Sequence, residues 1–319
     1  SYASASDQLS TLTVNGLSKT DFTYDGNGAL TQESDTRLGR SARVKKYNWD
    51  SQGRLSKISY ENTFQPSYLS ATPVVDLSFA YDADGNRVKK TSGGASTYYL
   101  NDGLRVLDEM NSTGAVAKTL VSGLEQIAEI DSAGVVTFVH SDILGSTVLL
   151  TDQAGAVAQE YEYDVFGSVM GMNGSYQTDY LFTGQQYDPE SELYYYNARY
   201  YNPRLGRFIS RDSFLGRAGD SLSRNRYAYV KNNPLKFTDP TGNVAWGKLG
   251  GGIKDLFFGA VTTVFGGVEA VVGGAMVGGA VAGEVATIGG ATVPAVVVGG
   301  AGVGLAGMGA NNVVAGGSQ

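Results

Sequence analysis

An aromatic residue, an aspartate, two variable positions, a glycine and then a polar and an aliphatic residue recur along this chain. The clearest copies are Tyr24-Asp25 with Gly28 and Leu30, Trp49-Asp50 with Gly53, Arg54 and Leu55, and Tyr81-Asp82 with Gly85, Asn86 and Arg87. Looser copies keep the Asp-x-x-Gly spacing alone: Asp131 with Gly134, Asp152 with Gly155, and Tyr163-Asp164 with Gly167. Each copy reads as a tight turn, in which Asp accepts hydrogen bonds from the turn amides and Gly supplies a positive φ. Between turns, apolar and polar residues alternate, as in Thr137-Phe138-Val139-His140 and Val157 to Tyr163, which is the period of strands covered on one face. A lone hairpin is marginal in water, so such units must stack edge to edge into one long sheet. The expected fold class is mainly β, a ribbon of hairpins.

Composition fits this reading. Of 319 residues, 42% are hydrophobic and 17% charged, with 44 Gly and 20 Tyr, so the chain can bury a core while turning often. A net charge of −7 argues against nucleic acid as a partner, since phosphate binding needs clustered Lys and Arg. There is no cysteine and one histidine, His140, which excludes disulfides, thiolate chemistry and a His-rich metal site; no cofactor is expected. Ser1 to Val14 has neither a basic start nor an apolar core, so it is not a signal peptide, and the chain reads as the tail end of a longer protein.

The most ordered stretch runs from Phe182 to Gly242 and includes LYYYNARYYNPRLGRF, RNRYAYVKNNP and TDPTG. It resembles the repeat-associated core of Rhs (YD-repeat) proteins. The three best turns resemble the YD repeat, and HSDILGST followed by TDQAGAVAQEYEYDVFG resembles the segment just upstream of that core. The resemblance implies three parts: a YD-repeat wall over 1–180, the core plug over 181–242, and a glycine-rich pre-toxin or translocation tail over 243–319. It also implies a β-ribbon that spirals into part of a hollow shell, completed by upstream repeats or further copies. The protein would be a secreted or surface-exposed bacterial polymorphic toxin, whose shell holds a C-terminal effector absent from these residues and docks on a secretion-system spike or carrier. Two rivals stand beside that reading: an adhesive surface scaffold, and an autoprotease whose activity is its own maturation.

In related Rhs and Tc-toxin components the core resembles an aspartyl autoprotease that cuts near an Asp-Pro-x-Gly-Leu motif. Carried onto this chain, the resemblance points to Asp212, with either Asp220 or Asp239 as second carboxylate, to Arg211 as the neighbouring cation, and to cleavage near Gly242 and Asn243. Two close carboxylates do not both ionise cheaply, so one serves as acid while the other activates water. The chain departs from the pattern in having Asn243 where the motif has Leu, and in a longer connection from Asp212 to Asn225. The plainer readings are an Asp212 that pairs with Arg211 or caps a turn, and a simple β-turn at Asp239 to Gly242.

Past Gly242 the chain turns apolar. Roughly 256 to 283 and 285 to 310 are membrane-length stretches, and Gly274/Gly278, Gly279/Gly283 and Gly300/Gly304 have GxxxG spacing, which gives the tail helical and membrane-contacting potential. The opposing reading is a loosely ordered apolar linker held inside the shell, since glycine costs about 1 kcal/mol per helical position. Three other features read as structural. His140 in His-Ser-Asp sits on a strand, where neighbours point to opposite faces and cannot form a triad. Asn232-Asn233-Pro234 reads as a turn, and Tyr194, Tyr195, Tyr196, Tyr200 and Tyr201 as cross-strand ladders rather than a carbohydrate platform.

Overall fold

The computed structural model describes residues 1–2, 7–16, 18–37, 43–61, 76–123, 125–216, 221–243 and 246–247, and from there 261–265, 268–272, 276–277, 280–281, 287–288 and 291–292. The chain forms two units, Ser1–Gly247 and Lys248–Gln319.

In the first unit, one sheet holds fifteen strands in strict chain order. They are β1 (Thr11–Val14), β2 (Ser18–Tyr24), β3 (Leu30–Arg37), β4 (Arg43–Trp49), β5 (Leu55–Glu61), β6 (Leu77–Tyr81), β7 (Arg87–Ser92) and β8 (Ala95–Asp102). The series continues with β9 (Arg105–Met110), β10 (Val116–Ser122), β11 (Gln126–Asp131), β12 (Val136–Ser141), β13 (Thr147–Thr151), β14 (Val157–Tyr163) and β15 (Val169–Gly174). β1 and β15 stand at the two ends of the order, so the sheet is open rather than a closed barrel.

The repeated turns do what their sequence requires. In the copy at Asp82, the Asn86 amide donates to Asp82 Oδ1 at 2.8 Å and the Asp82 amide donates to the Asn86 carbonyl at 3.0 Å. Gly85 sits at φ +92, which a Cβ would strain. The aromatic residue before each Asp falls where the register shifts by one, as at Ala80/Tyr81 and Thr23/Tyr24, so the motif writes a bulge as well as a turn. Two further turns join the series. Asn111 replaces Asp in the turn closed by Gly114, and Asp142 builds the turn inside HSDILGST.

The core block carries a small second sheet of β16 (Gln186–Asp188), β17 (Leu193–Tyr196), β18 (Arg199–Asn202) and β19 (Arg207–Phe208). Tyr194 pairs with Tyr201 and Tyr195 with Tyr200, as the ladder reading expects. All are buried, which removes the carbohydrate-stacking alternative. The run is continuous rather than alternating because both faces of this sheet are covered. Leu193, Tyr195 and Tyr200 pack with Phe22, Tyr47, Ile58, Leu77 and Phe79 of the early strands. Tyr194, Tyr196 and Tyr201 pack with Val139, Leu150 and Tyr161 of the late strands. The ribbon therefore lies against both sides of the core sheet.

Tyrosine hydroxyls then tie core to repeat turns. Tyr227 donates to the Gly28 carbonyl at 2.6 Å, Tyr195 to Gly85 at 3.3 Å, Tyr194 to Gly167 at 2.9 Å and Tyr201 to Phe166 at 2.8 Å. A buried charge network adds to the seam: Asp188 lies 2.5 Å from Arg87 and 3.1 Å from Lys90, and Lys90 lies 3.2 Å from Glu190.

The tail departs from the expected helix. Its described residues are short antiparallel pairs, Val261–Phe265 with Val268–Val272, Met276–Val277 with Ala280–Val281, and Thr287–Ile288 with Ala291–Thr292. β-Branched Val and Thr lose side-chain freedom in a helix and suit a strand, while the many glycines disfavour helix. No helix among the described residues is long and apolar enough to cross a membrane. Much of the two membrane-length stretches, 293 to 310 included, lies outside the described residues.

Candidate functional site

Asp212 and Asp239 come together, and the group that joins them is Arg199. Asp212 follows β19 in a backbone clamp: its amide donates to the Arg226 carbonyl at 2.9 Å, and Arg226 Nε returns to the Asp212 carbonyl at 2.7 Å. Its Oδ1 caps the Phe214 amide at 2.8 Å, leaving Oδ2 for Arg199 Nη2 at 2.8 Å. Asp239 enters from the far end of the core, just after the short strand β20 (Phe237–Thr238), which pairs with β21 (Trp246–Gly247). Asp239 Oδ2 lies 3.6 Å from the same Arg199 nitrogen. Its Oδ1 accepts from the Asn243 amide at 3.1 Å and from the Thr241 hydroxyl at 3.2 Å.

The turn between β17 and β18 holds the Asp-Pro-Thr-Gly segment in place. Asn197 Nδ2 donates to the Pro240 carbonyl at 2.9 Å, and the Ala198 amide to the Thr241 carbonyl at 3.2 Å. Gly242 has φ +74, and a Cβ there would collide with the Tyr196 carbonyl oxygen, so only glycine fits. Arg199, first residue of β18, donates through Nε to the Gly242 carbonyl and through Nη1 to the Arg226 carbonyl at 3.0 Å, with its guanidinium 3.7 Å from the centre of the Phe208 ring.

The site is enclosed, with Asp212, Asp239 and Arg199 all under a tenth exposed. Burial pulls the Arg199 guanidinium down from its usual pKa, and Asp212 and Asp239 push it back. Arginine starts so high that it stays charged. A fixed cation thus sits on the carbonyl oxygen of the Gly242–Asn243 peptide, one carboxylate lies beside the nitrogen of that bond, and a second shares the cation. Chemically, that arrangement can polarise a carbonyl and move a proton on either side of it.

The other expected residues fall elsewhere. The Arg211 side chain lies against Gly28 and the Tyr227 hydroxyl, among the repeat turns, so the cation between the carboxylates is Arg199 instead. Asp220 lies outside the described residues. Asp212 and Asp239 do cap local amides, as their plainer readings expect, but Asp212 pairs with Arg199. His140 Nε2 meets Thr151 Oγ1 at 2.9 Å on an exposed strand face, while Asp142 is committed to its turn. The three residues Val230 to Asn232 take positive φ, so the Asn-Asn-Pro segment is a turn. Arg199 had one signal in the sequence: a lone charge inside a run of tyrosines, which once buried needs a carboxylate partner.

Comparison with known proteins agrees with this architecture. The family model described as Teneurin YD-shell matches residues 6–235. The tRNA3(Ser)-specific nuclease WapA of Bacillus spizizenii is 34% identical over 229 residues, 70% of this chain and 9% of the relative. Double-stranded DNA deaminase toxin A of Burkholderia cenocepacia is 28% identical over 254 residues, 69% of this chain and 17% of the relative. The chain thus spans a small part of the length of these relatives. The solved TcdB2-TccC3 structure shares 20% identity at a TM-score of 0.48, covering 70% of this chain and 14% of that one, too weak a likeness to carry the assignment. The family match spans most of the repeats and the core described above, and the chain belongs to the teneurin YD-shell family.

Proposed function

We propose that this chain is the closing section of a toxin's YD-repeat wall, enclosing an effector carried on the same polypeptide until delivery. The observation that carries it is the core sheet covered on both faces, by Phe22 to Phe79 on one side and Val139 to Tyr161 on the other. A ribbon that passes both sides of its own plug has begun to wrap, and further strands at the β1 end would extend the wall. Toxins among the relatives support the effector; the secreted location, the carrier, and the division into wall (1–180), plug (181–242) and tail (243–319) belong to the same reading. The test is protection. The natural full-length protein is treated with protease, and the C-terminal effector should survive where the same effector, expressed alone, is cut. Equal cutting overturns the reading.

A second activity, self-cleavage at Gly242–Asn243, is favoured by the contact between Arg199 and the Gly242 carbonyl. Water adds to the Gly242 carbonyl carbon as Asp212 takes its proton, and Arg199 holds the oxygen that gains charge. Asp239, once protonated, gives its proton to the Asn243 nitrogen, which leaves as an amine while Gly242 becomes a carboxylate. Intact mass of the full-length protein at neutral and acidic pH tests this. Two fragments meeting at Gly242 and Asn243 support it, and a single persistent mass sinks it.

A further inference from the structure

A second set of buried charges lies away from that site, where the connecting segment Tyr176 to Tyr180 crosses the covered face of β9 to β11 on its way into the core. Glu129 of β11 is fully engaged: Lys118 Nζ is 2.9 Å away, and Gln126, Thr178 and the Tyr176 hydroxyl all donate to its carboxylate. Glu109 of β9 is buried too, and its hydrogen bond is the Tyr180 hydroxyl at 2.9 Å. Asp179 faces it from the crossing segment. Around them stand Tyr99 of β8, Arg87 and Lys90 of β7, Asp188 at the end of β16, and Glu190 just past it. Arg87 and Lys90 are already bound to Asp188 and Glu190. Lys118 therefore meets three carboxylates, of which Glu129 holds it.

We propose that this cluster is an acid-closed clasp: with Glu109 protonated, the segment Tyr176 to Tyr180 is locked onto β9–β11, and ionisation of Glu109 loosens it. Burial, then repulsion by Asp179, pushes the Glu109 carboxyl up to about 7, and burial likewise raises Asp179. The sign follows from linkage. A carboxyl whose folded pKa is raised contributes stability that is present below its unfolded pKa, near 4.5, and is lost as pH climbs through about 7. The seam is thus tightest in acid and relaxes towards neutral and alkaline pH.

Hydrogen exchange of the full chain, corrected for the intrinsic pH dependence of exchange, reads this directly. Opening of Tyr176 to Tyr180 should be roughly tenfold or more greater at pH 8.5 than at pH 5.5, with the amides of β4 and β5 as an unchanged reference. Glu109→Gln should flatten that dependence and keep the segment closed at pH 8.5. A flat wild-type profile, or a pH dependence that survives in Glu109→Gln, overturns the proposal. Asp179→Asn is the second variant. It removes the charge facing Glu109 and should move the midpoint to lower pH; an unmoved midpoint counts against the clasp whether or not Glu109→Gln folds.

Discussion

Replacing Asp188 by Asn should be among the most damaging single changes in the first unit, because it removes one charge from a buried set of four. Asp188 has no exposed side-chain surface and accepts from Arg87 at 2.5 Å and Lys90 at 3.1 Å. Arg87 is equally buried, and its Nε and Nη2 have no hydrogen-bond partner. Its guanidinium instead rests 4.6 Å from the Tyr195 ring centre and 5.3 Å from those of Phe79 and Tyr99. Removing the carboxylate strands that cation, and a stranded buried charge costs about 3–5 kcal/mol. Ring contacts recover about 1–2 kcal/mol, already present in the wild type, so they do not soften the loss. The expected result in urea denaturation is a drop of about 4 kcal/mol with an unchanged slope. The double variant Arg87→Met, Asp188→Asn should regain most of it, because both charges leave together. A single-variant loss below about 1 kcal/mol would refute the claim that this pair is desolvated, since exposed pairs contribute at that level. Burial alone would raise the Asp188 carboxyl, but Arg87 and Lys90 hold it below the usual carboxylate range. Its contribution is therefore present above the unfolded value of 3.8 and fades only as pH falls through the lowered folded one.

Arg199→Gln and Asp212→Asn should each abolish self-cleavage by intact mass, whereas Arg211→Gln, which changes a side chain lying at Gly28, should leave it in place. Tyr227→Phe loses a 2.6 Å bond and leaves the Gly28 carbonyl unpaired, so denaturation should show a loss of about 1–3 kcal/mol.

The repeats were legible because each turn is local: Asp and Gly three positions apart settle both hydrogen bonds and φ without help from distant residues. Asn111 was missed since a side-chain carbonyl serves the turn as well as a carboxylate does. The tyrosine ladder was legible as pairing, though not as a sheet covered on both faces, because a continuous apolar run fits several environments. Motif resemblance named Asp212 and left its second carboxylate open between Asp220 and Asp239, whereas it did not name Arg199. Its partners lie 13 and 40 positions away, and nothing local distinguishes it from Arg211, which sits next to Asp212 in sequence yet turns to another face. The tail misled through hydropathy, which is blind to the strand preference of Val and Thr.

The way the core reads the repeats sets a limit on the wall itself. Tyr227, Tyr195 and Tyr194 donate to the turn carbonyls of Gly28, Gly85 and Gly167, so three turns far apart in sequence must reach the same core block together. The strands between Gly85 and Gly167 are then a spacer of fixed count, and their number fixes how far the ribbon bends between contacts. Deleting 112–131 removes β10 and β11 yet keeps a turn, because Asn111 then runs into Ser132-Ala133-Gly134-Val135 with the Asx spacing intact. Alternation of faces survives the loss of two strands, so local folding of the ribbon is not impaired. What fails is arrival: Gly167 falls short of Tyr194, and the late face of the core sheet, with Tyr196 and Tyr201, is left uncovered. The deleted chain should keep its far-ultraviolet β signal, bind a hydrophobic dye and lose its cooperative unfolding transition. A variant that unfolds as sharply as the wild type, without dye binding, would show that the core tolerates other spacings and that the tyrosine contacts do not set the curvature.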